Sequence, residues 1–437
     1  MSIFGSFMQG YNMGKSAMEE AGNRINSQLA RRAEVRDTAI REENAAIANA
    51  ADRGVVDYHP CPVDCLFDPS SPEQSVIVSG GTRYWHNEFI KSLVLPYCNA
   101  AIPVIIFHHS NNQLKADIKG NFENFVNVDE NNRLYDPIIG LNIIQIVNLV
   151  LSCHNDYIKL SPESSYYFQG INEFMQCKKV IPSIYAFASL PYMEIATKIN
   201  NAVNKGQMTA AQASKTQQLL SRGANEQSSI QLFFESLLND CPFVSRKLDT
   251  KSILNVEKAI VNKKNLIIDI PNSASDTLLK MILADIKKAT SLNQKFVLVV
   301  DDLQIANNKE FNDFIASFPD SNPLFLLSQD VYSYCNGEDA RFYSLAGKFN
   351  KKLIMKHSSA VSANKWSAVF GDYERQEVTH NYGYSTTNNM SNVNHGTSTS
   401  RNRENRVLAE AIVKMGDGEI YLADTNRPEI AHMLLKR

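Results

Sequence analysis

Three kinds of apolar pattern divide the chain. Residues 1 to about 50 place Phe4, Tyr11, Met18 and Ile25 seven positions apart, with Met8 and Leu29 between them. That spacing predicts one helix with an apolar face and a charged one. From Ser75 onward the pattern changes to short runs that are apolar at nearly every position: "QSVIVSGG", "AIPVIIFHHSNN", "NLIIDIP", "FVLVVDDLQ", "NPLFLLSQD" and "KKLIMKHS". Continuous runs of this length read as strands buried on both faces. The segments between them, "NEFIKSLVLPYC", "ASDTLLKMILADIKKAT" and "NKEFNDFIASF", have helical spacing. Strand, helix, strand implies right-handed parallel crossovers, so five or six parallel strands form a doubly wound α/β sheet with helices on both faces. Sites in such sheets lie at the carboxyl ends of the strands.

Between about 140 and 255 no strand-like run of comparable quality occurs. Ser161, Ser164 and Ser165 mark a helix entry, "INEFMQCKKVIPSIYAFASL" carries helix-period apolar residues, and "MTAAQASKTQQLLSRG" runs from a Thr cap to a Gly stop. An all-helical subdomain is therefore inserted between strands of the α/β core. Residues 379–406 are rich in Asn, Ser, Thr and Gly, bury little, and are expected to form a mobile loop. The division that follows is an N-terminal helical segment (1–55), a first core part (56–140), the helical insertion (141–255), a second core part (256–378), a polar loop (379–406) and a closing strand and helix (407–437). The closing part carries a Gly-Asp-Gly turn and the strand Glu419 to Ala423.

Charge narrows the partners. Lys plus Arg number 44 against 46 Asp plus Glu, so no global cationic field draws the chain onto nucleic acid, and any DNA contact has to be a local patch. Lys263, Lys264, Lys351, Lys352 and the "RNRENR" run are the local positive groups, although such runs are usually solvated faces. Seven scattered cysteines and no secretory leader point to a reducing cytoplasm. The longest apolar run, Leu141 to Cys153, is too short for a bilayer, which needs about 20 residues, so no integral membrane anchor is expected. His59, Cys61 and Cys65 make at most half a zinc site. The apolar face of the N-terminal helix has three readings: docking on its own domain, a coiled-coil seam with a partner, or peripheral contact with a membrane surface.

The candidate chemistry begins where the first strand ends. In "SVIVSGGTRYWHN", Gly80 opens what could be a phosphate-binding loop, which wraps backbone N–H groups around phosphates at a helix N-terminus. Counting from Gly80, the variable positions are Gly81, Thr82, Arg83 and Tyr84, and Trp85, His86 and Asn87 take the last three. Trp85 brings a Cβ and a ring where close backbone approach is wanted. His86 is shorter than the lysine that bridges β- and γ-phosphates, and Asn87 replaces the hydroxyl that holds magnesium. Arg83 is the nearest substitute for the lost charge. "FVLVVDDLQ" has the shape of a Walker B strand, with Asp301 placed to hold Mg and Asp302 where a glutamate ordinarily orients the attacking water. Gln329, after "LFLLS", stands where a polar residue senses a γ-phosphate.

In their order, the glycine-ended strand, the large helical insertion after "RLYDPIIGL", the acidic-ended strand, the strand ending Ser-Gln and the late "GDGEIYLAD" resemble the additional-strand P-loop motors of the FtsK/HerA superfamily. The nearest likeness is to the type IV secretion and conjugation coupling protein ATPases, over roughly Ser75 to the C-terminus. That resemblance implies a RecA-like core, a helical insertion that receives substrates, ATP and Mg as cofactors, hexamerisation, and translocation of DNA or protein. The residues it implicates are Gly80, Gly81, Thr82, Arg83, His86 and Asn87 for nucleotide, Asp301 for Mg, and Asp302 and Gln329 for catalysis. Three departures stand against it: no loop lysine, Asp302 in place of glutamate, and residues 1–50 in place of a transmembrane pair. The leading reading is a cytoplasmic coupling-family subunit with an impaired nucleotide site, held in a homo- or hetero-oligomer through its N-terminal helix or its insertion. An active translocase with an unorthodox loop, and a scaffold that never meets nucleotide, as in a defence complex, stay open as alternatives.

Overall fold

The structure, a computed structural model, describes residues 3–436 other than 68–74, 123, 154–157, 159, 272–273, 302–308 and 388–389. The chain packs as two compact units, Met1–Val56 with Phe370–Leu408, and Asp57–Val369 with Ala409–Arg437.

After β1 (Val55–Asp57), which ends at the first residue of the larger unit, the strands of that unit's sheet are, in chain order, β2 (Ser75–Ser79), β3 (Val104–His108), β4 (Phe125–Val128), β5 (Asn265–Asp269), β6 (Val297–Asp301), β7 (Leu324–Ser328) and β8 (Lys351–Ile354). After β9 (Asp372–Thr387) and β10 (Met390–Asn405) of the other unit, β11 (Glu419–Asp424) and β12 (Ile430–Leu434) complete it. The spatial order is β1-β12-β11-β8-β2-β7-β6-β3-β5-β4. The stretch from β8 to β4 is parallel throughout, and β11 runs antiparallel to both β8 and β12. The six apolar runs are β2, β3, β5, β6, β7 and β8. Side chains of β2, β3, β6 and β7 are buried at almost every position, as strands covered by helices on both sides must be. β4 escapes the sequence pattern because it is a four-residue edge strand, only half-buried over most of its length. β12 escapes it for a similar reason, with only Ile430 and Met433 of its five residues buried.

The crossovers are α2 (Arg83–Asn99) and α3 (Asn112–Asn121) around β3, followed after β4 by the helical insertion. That insertion comprises α4 (Ile143–Ser152), α5 (Ser164–Cys177), α6 (Ile184–Ala188), α7 (Ile195–Asn204), α8 (Ala210–Arg222) and α9 (Gln227–Asp240). Its core is aromatic: Phe168, Phe187 and Phe234 meet with ring centroids 4.6–6.0 Å apart. α10 (Val256–Val261) and α11 (Asp276–Thr290) lead the chain back into the sheet on either side of β5. Lys351 and Lys352, read from sequence as possible DNA contacts, are structural. Lys351 is buried, donates to the Leu66 carbonyl and lies over the Phe67 ring, while Lys352 donates to the Phe349 carbonyl.

The smaller unit contains α1 (Ile3–Arg53) and the hairpin of β9 and β10. Residues 379–406, expected to be a mobile loop, lie almost wholly in that hairpin, whose register runs from Asp372↔Asn405 to Thr387↔Met390. Polar Thr, Asn and Ser make no apolar signal, yet they pair across strands, and α1 covers the outer edge of β9. The Asn49 carboxamide donates to the Gln376 carbonyl and accepts the Gln376 N–H, and His380 pairs with Glu42. A side chain thus satisfies backbone groups that an open edge would leave bare. Among the described residues of the apolar stripe of α1, Met18 is 81% exposed, and Ile25 and Leu29 are also exposed. The "RNRENR" run carries no net cationic face, since Arg401 pairs with Glu374, Arg403 with Asp372, and Glu404 with Arg375. An Arg401→Ala, Arg403→Ala double variant is therefore expected to leave DNA affinity and its salt slope unchanged. A slope flatter by about two in a filter-binding salt series would show that these arginines meet phosphates.

Candidate functional site

Between the end of β2 and the start of α2 stand only Gly80, Gly81 and Thr82. The sequence count put Arg83 to Asn87 in or just after a phosphate loop; they are already helical, and Trp85, His86 and Asn87 lie buried in the first two turns. Gly80 and Gly81 have φ of +88° and +78°, conformations that glycine adopts without strain. Their N–H groups point at the protein itself: Gly80 donates to the Ser328 carbonyl at 3.0 Å and Gly81 to the Lys356 carbonyl at 3.1 Å. A Cβ on Gly80 would lie 2.7 Å from the carbonyl oxygens of both Met355 and Lys356. The glycines thus serve the close approach of this turn to the chain leaving β8. Gly80→Ala is expected to cost about 2 kcal/mol or more, combining positive φ with collision. A urea midpoint that falls at unchanged slope is the measurement.

His86 turns back on its own loop. One ring nitrogen, Nε2, lies 2.9 Å from the Gly80 carbonyl, and Nδ1 lies 3.5 Å from Asp301 at the end of β6. Asn111, the residue before α3, joins the same group: its Nδ2 donates to Asn87 Oδ1 at 2.8 Å and to Asp301 Oδ2 at 2.9 Å. Burial pushes the Asp301 carboxyl up, but His86 and the Asn111 amide outweigh that and hold it below the usual carboxylate range. Sequence reasoning placed Asp301, His86 and Asn87, which the fold does bring together. It missed Asn111, whose signal was the "HHSNN" that ends the second apolar run, where polar residues cluster at a strand's carboxyl end.

The cations around this edge have partners. Arg83 donates to the carbonyls of His109 and Ser110, Lys115 pairs with Asp269 and Asp129, and Lys91 pairs with Glu88. Burial, more than any neighbour, lowers His108 and His357 to about 4 each, so both rings are neutral at pH 7. His357 instead meets Ser79 Oγ, which also accepts the Trp366 indole N–H. Gln329 is exposed just beyond the carboxyl end of β7, and Thr82 caps α2 through its backbone conformation without a side-chain hydrogen bond. Asp302 lies outside the described residues. A cleft of about 530 Å³ opens beside the loop between α2 and α3, lined by both signs of charge, including Arg83, Lys91, Glu88 and Asp117. Among the described residues, no helix is long and apolar enough to cross a membrane.

Residues 330–436 match the family described as the type IV secretion-system coupling protein DNA-binding domain. No curated protein sequence matches the chain. Among solved structures, the bacterial conjugative coupling protein TrwBdeltaN70 superposes with a TM-score of 0.52 at 13% identity, covering 86% of this chain and 90% of that one. Its form in complex with sulphate gives 0.52 at 14% identity, with 89% and 92% covered. The plasmid coupling protein TrwB in complex with ADP and Mg2+ gives 0.51 at 15%, with 86% and 88% covered. These likenesses establish the RecA-like fold. Residues 330–436 are thus similar in sequence to the coupling protein DNA-binding domain, and most of the chain shares the fold of the conjugative coupling protein TrwB.

Proposed function

We propose that this chain is a non-hydrolysing coupling-type subunit of a conjugation or type IV secretion assembly, working at the cytoplasmic side. In it the helical insertion handles DNA or protein substrate, and the former nucleotide edge serves as a structural joint. The observation that carries this reading is the fate of the loop amides. A phosphate cradle needs backbone N–H groups free to point at the ligand, and Gly80 and Gly81 spend theirs on Ser328 and Lys356. Two further features support it. The lysine position holds a buried histidine bonded to Gly80, and Arg83, the nearest replacement charge, is engaged by carbonyls of the β3–α3 turn. ATP and Mg2+, which accompany TrwB as ADP and Mg2+ in one solved structure, would have to displace these contacts before binding here.

Steady-state ATP hydrolysis, with and without single- and double-stranded DNA, tests the proposal. No turnover above the blank is expected, and Asp301→Asn should change nothing. Turnover that Asp301→Asn abolishes would instead identify a working motor.

A further inference from the structure

Asn111 is fully employed. Its Oδ1 accepts the Leu114 N–H at 3.0 Å and so caps α3, while Nδ2 donates to Asn87 on α2 and to Asp301 on β6. Two independent constraints fix which end of the amide is which. A backbone N–H can only donate, so the oxygen faces Leu114, and the ionised carboxylate can only accept, so the nitrogen faces Asp301. The residue is 3% exposed, and the amide's two hydrogens reach oxygens on two different elements. In a metallonucleotide site, the helix after the loop and the acidic strand are bridged by a divalent cation that gathers oxygen ligands from both. Here the bridge runs the other way: hydrogens of a protein amide sit among those oxygens.

Resting on the reading of this edge as non-hydrolysing, we infer that Asn111 is a positioning residue standing in for a divalent cation. It locks α2, α3 and β6 together by hydrogen bonds alone, and the wild-type site takes up no Mg2+. His86 completes the lock from the other side of Asp301. The chain would then be fixed in one arrangement, with no metal-dependent change at this edge.

The converse follows from ligand chemistry. Asn111→Asp keeps an oxygen for the α3 cap, since Asp is a good N-cap, but replaces the bridging hydrogens with a second carboxylate facing Asp301 and Asn87 Oδ1. Three oxygens then converge where an amide stood, and two like charges repel until a cation joins them.

Thermal unfolding of wild type, Asn111→Asp and Asn111→Ala in EDTA, Mg2+ and Mn2+, with and without ATP, is the test. Wild type should melt at one temperature in all of them. Asn111→Asp should melt roughly 5 °C lower in EDTA and recover saturably with Mn2+. Asn111→Ala should melt lower in every condition with no response to cation, which separates loss of the cap from creation of a site. A wild type stabilised by Mn2+ or Mg2+ alone overturns the inference. So does a folded Asn111→Asp, judged by circular dichroism, that ignores both cations. Should that variant fail to fold, the wild-type series decides by itself. A wild type that hydrolyses ATP sinks the functional proposal, whereas one inert to ATP but stabilised by Mn2+ sinks only the Asn111 lock.

Discussion

Trp85→Ala is expected to lower unfolding free energy by about 3–5 kcal/mol, the range for deleting a buried tryptophan. Trp85 occupies the position that the loop count reserves for a glycine, yet it is 1% exposed and packs in the main core with Phe89, Val78 and Leu353. Its indole N–H donates to Asp417 Oδ1 at 2.8 Å, and a Cβ on the adjacent Gly418 would lie 2.7 Å from its ring. The residue clamps α2 to the Gly-Asp-Gly turn that launches β11. Gly418 has φ +79° and its carbonyl accepts the Leu435 N–H, so the turn in turn sets the register of the last strand pair. Restoring the letters of the motif with Trp85→Gly and His86→Lys is therefore expected to destabilise the chain without producing ATP hydrolysis. Denaturant midpoints at constant slope, with Trp85→Phe as a control that keeps most of the volume, measure the clamp. A loss below 1 kcal/mol for Trp85→Ala would show that the surroundings close over the gap and that no clamp exists.

The same residues show what the chain reveals on its own and what it conceals. The strands were legible because burial on both faces leaves no room for polar positions, so β2, β3, β5, β6, β7 and β8 stand out as unbroken apolar runs. The order of their polar endings, Gly80, Asp301 and Gln329, pointed to the fold that the chain shares with TrwB. Counting from Gly80 could not show where α2 begins, because counting assumes a loop length. Only three residues separate strand from helix, and Trp85 and His86 therefore lie in the buried first turns of α2. Asn111 was harder to single out within "HHSNN": beyond capping α3 at the nearby Leu114, its role depends on Asn87 and Asp301, which lie far away in sequence and on other elements. The β9–β10 ribbon was concealed by composition, since its stability comes from cross-strand polar pairs and from Asn49 on α1, none of which leaves a periodic apolar trace.

Stability is expected to fall by about 5 kcal/mol between pH 5 and pH 7, at about 1.4 kcal/mol per pH unit from each of two buried carboxylates. Asp136 and Asp285 are wholly buried, and burial raises each to about 7, against the opposing pull of the hydrogen bonds they accept. Asp136 accepts the N–H groups of Ile138 and Ile184; Asp285, on α11, accepts the Tyr135 hydroxyl and the Val256 N–H through Oδ2. Both therefore sit at the neck of the helical insertion, where Tyr135 bridges to Val244 and Leu254. For a carboxyl raised on folding, the native state binds the proton more tightly. The stabilisation is complete below the unfolded value near 3.8 and is lost as pH rises through about 7. Asp301 acts in the opposite sense, being held low, and its contribution is lost only on acidification below that window. Asp285 Oδ1 has no partner among the described residues, so it is the natural seat of the proton. Asp285→Asn keeps an oxygen for Tyr135 and Val256 while removing the charge. That variant should show about half the wild-type slope in urea unfolding measured at pH 5, 6, 7 and 8, and should exceed wild type in stability at pH 8. Amides of residues 244–256 should exchange faster, beyond their intrinsic pH dependence, in wild type alone as pH rises. An unchanged slope in Asp285→Asn would mean that this carboxyl is ionised in the native state across the range, and any protonation-linked stability at the neck of the insertion would then rest on Asp136 alone.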